Sequence, residues 1–205
     1  FCEALGMSQE EPTIAVTPID SSVFLGGAGI VAAHAAGLGA EVSLFSVMGK
    51  EITADFAREK MSDYKIHPYI FEDESRPTIL KQRFQANNKT LLRVSHLRQH
   101  AIDEGLQNKI VNKFKKIIEG MDLLIFSDFN YGCLPQKLVD LITKECEKHS
   151  VMMAADSQCS SQIGDVSRFK KMTLLTPTER EARLSVRDFD SGLVVLAESL
   201  RQKSD

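Results

Sequence analysis

The chain has 205 residues, 43% of them hydrophobic and 26% charged, and a formal net charge of -3. That is enough chain to bury a substantial core as one domain, and the charge excludes any global attraction to nucleic acid or anionic membrane. No apolar run approaches the roughly 20 residues of a spanning helix, and Phe1-Cys2-Glu3 lacks the basic start of a leader, so the expected location is cytoplasmic. Cys2, Cys133, Cys146 and Cys159 are widely spaced with no CxxC or Cys/His cluster, which predicts free thiols and no zinc site.

In chain order, residues 13–16 and 22–25 read as two short extended pieces joined by the turn Pro18-Ile19-Asp20. Leu25-Gly26-Gly27-Ala28-Gly29 then opens an Ala-rich run that ends at Gly37 and Gly39. Glycines there let the backbone turn and approach a ligand, and the N–H groups of a helix N-terminus suit an anion or polar ligand. A close-packed helix using its glycines for turns alone fits the same pattern. Residues 42–47 form an apolar run of buried-strand type, and residues 52–64 place Ile52, Phe56, Ala57 and Met61 at helical spacing.

The middle of the chain breaks this rhythm. Residues 79–84 and 91–94 flank the turn-tolerant Asn87-Asn88-Lys89, which predicts an antiparallel hairpin appended to the βα alternation. It carries Lys81, Arg83 and Arg93, so it reads as a flap with a basic face or as an edge blunted by charge. The alternation then resumes. Asp103 can cap a helix to about residue 118, and residues 122–126 form a strand delivering Ser127-Asp128-Phe129. Residues 134–146 read as a helix, 151–155 as a strand delivering Asp156-Ser157, and 172–175 as a strand delivering Thr176-Pro177-Thr178-Glu179-Arg180-Glu181. The last helix spans about 191–201.

Alternating elements of this kind predict a three-layer α/β domain with a mostly parallel sheet, whose ligands sit beyond the carboxyl ends of the strands. Gly26, Gly27, Gly49, Asp128, Asp156 and Glu181 all fall just past strands. Each alone could be a cap or a turn residue, but together they mark one edge.

These stretches resemble the ribokinase-like, or PfkB, carbohydrate kinases, and most closely the branch that phosphorylates heptose 7-phosphate. Gln9-Glu10-Glu11-Pro12 with the Gly26-Gly27 turn is similar to the first glycine motif of the family. Arg76-Pro77-Thr78-Ile79-Leu80-Lys81-Gln82-Arg83 and Asn87 to Val94 resemble the lid strands of that branch, a hairpin lid over about 76–96. Leu124 to Phe129 and Leu174 to Glu181 resemble the later strand-end motifs.

The resemblance implies ATP and Mg²⁺ as cofactors and in-line transfer to a sugar hydroxyl, which depends mostly on positioning and charge neutralisation. It places Gly26, Gly27, Lys81, Arg83, Arg93 and Asp128 at the sugar phosphate, Asp156 and Thr178 in the phosphate region, and Glu181 near the metal. It also implies a homodimer through the lid, with neither nucleic acid nor membrane as partner.

The departures are specific. Ile30 and Thr178 stand where the family motifs carry Asn, Tyr131 stands where a Lys is usual, and Ser157-Gln158-Cys159 carries neither Pro nor Lys. The first sugar-contacting strand of the family is expected before Phe1 and its catalytic base beyond Asp205, so no catalytic residue is assigned within the chain. The expectation is one carbohydrate kinase domain over 1–205, incomplete and inactive alone. The alternatives are a divergent non-catalytic binding domain, or a nicotinamide-dependent Rossmann enzyme suggested by Gly27-Ala28-Gly29-Ile30-Val31-Ala32 with residues 22–25 as its strand and Glu51 as its ribose-binding acid.

Overall fold

The computed structural model describes residues 1–158 and 164–205, so Cys159 lies outside the described residues, while Cys2, Cys133 and Cys146 are free thiols. The elements run β1 (Cys2–Met7), β2 (Ile14–Pro18), α1 (Gly27–Gly37), β3 (Ser43–Met48), α2 (Ile52–Asp63) and β4 (His67–Glu72). They continue with β5 (Leu80–Ala86), β6 (Lys89–His96), α3 (Glu104–Phe114), β7 (Leu123–Asp128), α4 (Gln136–His149) and β8 (Met152–Ser157). After a short 3₁₀ turn (Val166–Arg168) come β9 (Leu174–Leu175), α5 (Glu179–Val186) and α6 (Leu193–Ser204).

The parallel strands form two groups. β3 pairs with β4, and β8 pairs with both β7 and β9, all in parallel, but no ladder joins β3–β4 to β7–β8–β9 among the described residues. Both groups build on the same helical layer. Leu106, Ile110 and Phe114 of α3 and Leu138, Val139 and Ile142 of α4 meet Phe126, Met153 and Ala155 from one face of the β7 group. Phe45 and Val47 of β3 pack against that cluster too, and the Phe45 and Phe114 rings meet edge-on at 5.9 Å. The alternate residues of β3, Leu44 and Met48, face a second cluster with Ala32 and Ala33 of α1 and Ala54, Ala57 and Met61 of α2. This period of two, with both faces apolar, is what a strand between two helical layers requires. The three expected layers are therefore present over β3–β4. Over the β7 group the outer face, Leu123, Ile125, Met152 and Leu174, is about half exposed.

Several elements follow from local chemistry. Asp103 caps α3 by accepting the Leu106 N–H at 2.7 Å. Asn87 and Asn88 take positive φ of 50° and 60° in the two-residue loop that joins β5 to β6, the geometry a tight hairpin needs.

Two sequence expectations fail. Residues 22–25 are not a strand, and the partner of β2 is β1, an antiparallel pair that local periodicity did not reveal. Polar and small residues in β1 and its bulge between Ala4 and Gly6 hide the alternation. Without a strand leading into α1, the dinucleotide fingerprint has no βα unit to act in. Glu51, offered as its ribose-binding acid, instead accepts the N–H of Thr78.

Candidate functional site

The end of β7 and the N-terminus of α1 meet at Phe129. Gly26 caps α1 in an extended conformation, and Gly27 adopts φ +55°, where a side chain would be strained. A Cβ at Gly27 would lie 3.5 Å from the Phe129 ring, so the turn rests directly on the aromatic residue past β7. From the other side, the Lys81 ammonium of β5 sits 5.4 Å from the centroid of Phe129 and 4.9 Å from that of Tyr131. Both lie within the reach of cation–π attraction. The structure thus brings Gly27 and Lys81 together around the rings of Phe129 and Tyr131.

Arg83 lies two residues along β5 from Lys81, on the same face and about 7 Å further out. Its cross-strand partner is Arg93. Two cations opposite one another repel, so this pairing is unfavourable unless an anion or water intervenes. The arginines that form ion pairs among the described residues are Arg58, Arg76, Arg168, Arg183 and Arg201.

Asp128 is differently employed. It is buried at the end of β7, where Oδ1 accepts the Asn130 N–H at 2.9 Å and Oδ2 accepts the Ser157 hydroxyl at 3.1 Å. Oδ2 also receives Arg168 Nη2 at 2.8 Å. Arg168 stacks on Phe169, with its guanidinium carbon 4.3 Å from the ring centroid, and donates to the Leu134 carbonyl at 3.0 Å. Asn130 completes the brace by donating to the carbonyl of Gln158 at 3.0 Å. The Asp128 carboxylate therefore ties the end of β7 to the end of β8 and to the 3₁₀ turn. Arg168 lies 40 residues away in sequence with no motif to signal it.

Near the end of β8, the partly exposed Asp156 accepts the Thr176 hydroxyl at 3.2 Å. Thr178 and Glu181 form a capping box on α5: the Thr178 N–H and hydroxyl both reach Glu181 Oε2 at 2.8 Å, and Thr178 Oγ1 accepts the Glu181 N–H at 3.3 Å. This cap was legible as Thr-x-x-Glu before a helix. It also explains why Thr can stand where Asn is usual, since both are good N-cap residues.

Hydrated Mg²⁺ needs only one or two carboxylates. Among the described residues no group of three or more His, Cys, Asp or Glu side chains is gathered, a donor set unlike a dedicated all-protein cage. Asp156 fits a metal that arrives with its waters on a nucleotide, whereas Glu181 Oε2 is held in the cap.

The lid is anchored at its base. Buried Arg76 binds Asp73 at 2.7 Å, the Tyr131 carbonyl at 3.1 Å and the His100 carbonyl at 2.7 Å. Thr78 Oγ1 accepts the Gly49 N–H at 3.1 Å. Burial pushes the Asp73 carboxyl up, yet the bonds from Ser75 and Arg76 outweigh it and hold the group below its ordinary value. Glu51 behaves alike: burial raises it, but hydrogen bonding with Thr78 brings it below. At nearby Cys133, burial wins and pushes the thiol up to about 11, so it is no thiolate nucleophile at neutral pH. A cleft of about 440 Å³ with Lys50, Glu74, Pro77 and Arg98 among its walls opens at this lid base, and neither Phe129 nor the glycine turn lines it.

Comparison with known proteins identifies the family. Residues 6–202 match the pfkB family carbohydrate kinase profile. The bifunctional protein HldE of Helicobacter hepaticus is 30% identical over 185 residues, covering 90% of this chain and 37% of that protein. HldE of Nitratiruptor sp. is 28% identical over 180 residues, covering 88% of this chain and 37% of its own length. The chain thus spans well under half of these curated relatives. Among solved structures, phosphofructokinase-2 from Escherichia coli in complex with fructose-6-phosphate superposes with a TM-score of 0.69 at 16% identity, over 98% of this chain and 65% of that one. With nearly its whole length matched, the chain belongs to the pfkB family of carbohydrate kinases.

Proposed function

We propose that this chain is the sugar-phosphate-binding part of a kinase acting on a heptose 7-phosphate-like substrate. The observation that carries the reading is the facing pair Arg83 and Arg93 on the same lid face as Lys81, which itself lies over the residues beside the Gly26-Gly27 turn. A phosphate dianion relieves the repulsion between the two guanidiniums and accepts bidentate hydrogen bonds from each. The sugar ring then lies between the lid and the glycine turn, where backbone N–H groups can approach its hydroxyls. The relatives named HldE and the neighbour holding fructose-6-phosphate support a phosphorylated sugar as ligand.

ATP with Mg²⁺ would supply the phosphoryl group. Asp156 and the Thr178 end of α5 are the residues of this chain proposed to meet it, Asp156 through metal-bound water, with Glu181 orienting the cap. Asp128 and Arg168 contribute rigidity at the strand ends, and no catalytic base is assigned to any residue of the chain. The hairpin face opposite the cations carries Leu80, Phe84, Leu92 and Val94, an apolar row that a second copy would cover in a homodimer.

The test is titration calorimetry with an aldoheptose 7-phosphate against the unphosphorylated sugar. Binding should require the phosphate, and Arg83→Ala or Arg93→Ala should each weaken it about 10- to 100-fold, since a hydrogen bond to a charged group contributes about 1.5–3 kcal/mol. Equal affinity for both sugars sinks the reading. Ile30, Tyr131 and Thr178, which depart from the family motifs, favour a second one: binding without turnover. ATP-dependent phosphorylation by the complete gene product would exclude it.

A further inference from the structure

The Lys81 ammonium lies against the rings of Phe129 and Tyr131, and the backbone of Tyr131 is itself held in place. Tyr131 is 4% exposed, and its carbonyl accepts Arg76 Nη1 at 3.1 Å. The same guanidinium gives Nη2 to the His100 carbonyl at 2.7 Å and Nε to Asp73 at 2.7 Å. Arg76 therefore touches the segment entering the lid, the segment leaving it and the loop past β7. The segment leaving the lid and the loop past β7 also touch each other directly. The Ile102 N–H donates to the Gly132 carbonyl at 3.0 Å, and at Gly132, with φ +78°, any Cβ would collide with the His100 carbonyl.

We propose that Arg76 is a positioning residue that, through the Tyr131 backbone, sets where Lys81 sits relative to the glycine turn. The guanidinium suits this because its rigid fork serves three acceptors in fixed directions at once. A lysine could keep the charge and reach one of them. A buried arginine whose acceptors all belonged to one segment would brace that segment alone; here they lie 24 and 55 residues away as well as three. The functional consequence, that losing the latch weakens substrate binding, rests on the sugar-phosphate reading. The placement of Lys81 does not.

The experiment is NMR of the 205-residue chain with its lysines ¹³C-dimethylated, Lys81 being assigned by its disappearance in Lys81→Arg. The Lys81 methyl signal should be ring-shifted upfield in the native chain. Arg76→Ala should abolish that shift, and Arg76→Lys should fail to restore it. Lys113, whose ammonium lies 4.6 Å from the Tyr69 ring centroid, neither residue being among the hydrogen-bond partners given above for Arg76, serves as the internal control and should keep its own shift.

An unshifted Lys81 in the native chain overturns the proposal, as does a Lys81 signal that keeps its shift without Arg76. If Arg76→Ala also moves the Lys113 signal, Arg76→Lys is read instead; if that too moves Lys113, Arg76 supports the fold at large and the specific role is lost. Titration with the aldoheptose 7-phosphate separates the two readings. No binding to the native chain, with the Lys81 shift lost in Arg76→Ala, sinks the substrate and keeps the latch. Equal binding to both forms, with the Lys81 signal unmoved, sinks the latch and keeps the substrate.

Discussion

Asp128 shows how a residue at the expected position can have an unexpected occupation. A carboxylate past a buried strand is a candidate for substrate or metal, yet this one is paired with Arg168 and accepts two further hydrogen bonds. Its removal would leave the guanidinium, 18% exposed, without a counter-charge. Breaking a buried pair in this way costs about 3–5 kcal/mol, so Asp128→Ala should lower the urea midpoint by a corresponding amount. If Asp128 served substrate alone, the midpoint would not move and only ligand affinity would fall. Lys81 is the opposite case: its charge was legible, and its setting against Phe129 and Tyr131 was not, because the rings come from a loop some 50 residues later in the chain.

At the scale of elements, the lid is a hairpin whose strands pair mainly with each other and whose base carries the fixing contacts. Asp73 and Glu51 both belong to that base, and both carboxyls titrate below their ordinary values in the folded chain. The unfolded chain, with ordinary values of about 3.9 and 4.3, therefore binds more protons over this range, and stability rises with pH. Their contribution is complete above about pH 5 and drains away as pH falls through the lower folded values. Urea midpoints measured from pH 6 down to pH 3 should fall, and the double substitution Asp73→Asn with Glu51→Gln should flatten this dependence while lowering stability at pH 6. An unchanged slope would show that other carboxylates dominate acid unfolding.

At the scale of the molecule, the parallel strands do not form one continuous ladder among the described residues. The β7–β8–β9 group and helices α3, α4 and α6 share the larger cluster, with Phe126, Leu138 and Leu200 among its buried members. The β3–β4 group with α1 and α2 shares the smaller one, in which four of the eight buried residues are alanines. Less apolar area per residue gives a weaker unit. Native-state hydrogen exchange should therefore find the amides of α1, α2 and β4 opening at lower free energy than those of β7, β8 and α4. Identical protection in both would mean that the shared contacts of Phe45 and Val47 make the two groups one cooperative unit.

The sequence by itself determined the alternation of strands and helices, the hairpin lid, the Gly26-Gly27 start of α1, the places of Asp128 and Asp156 at the ends of β7 and β8, and the Thr178–Glu181 cap. Each of these is written in local signals: period two, period 3.6, turn residues and caps. Tertiary structure decided the partner of β2, the separation of the parallel strands into two groups, the bracing of Asp128 by Arg168 and the latch at Arg76. These depend on residues distant in the chain meeting in space, and no local period encodes which buried charge will find which partner.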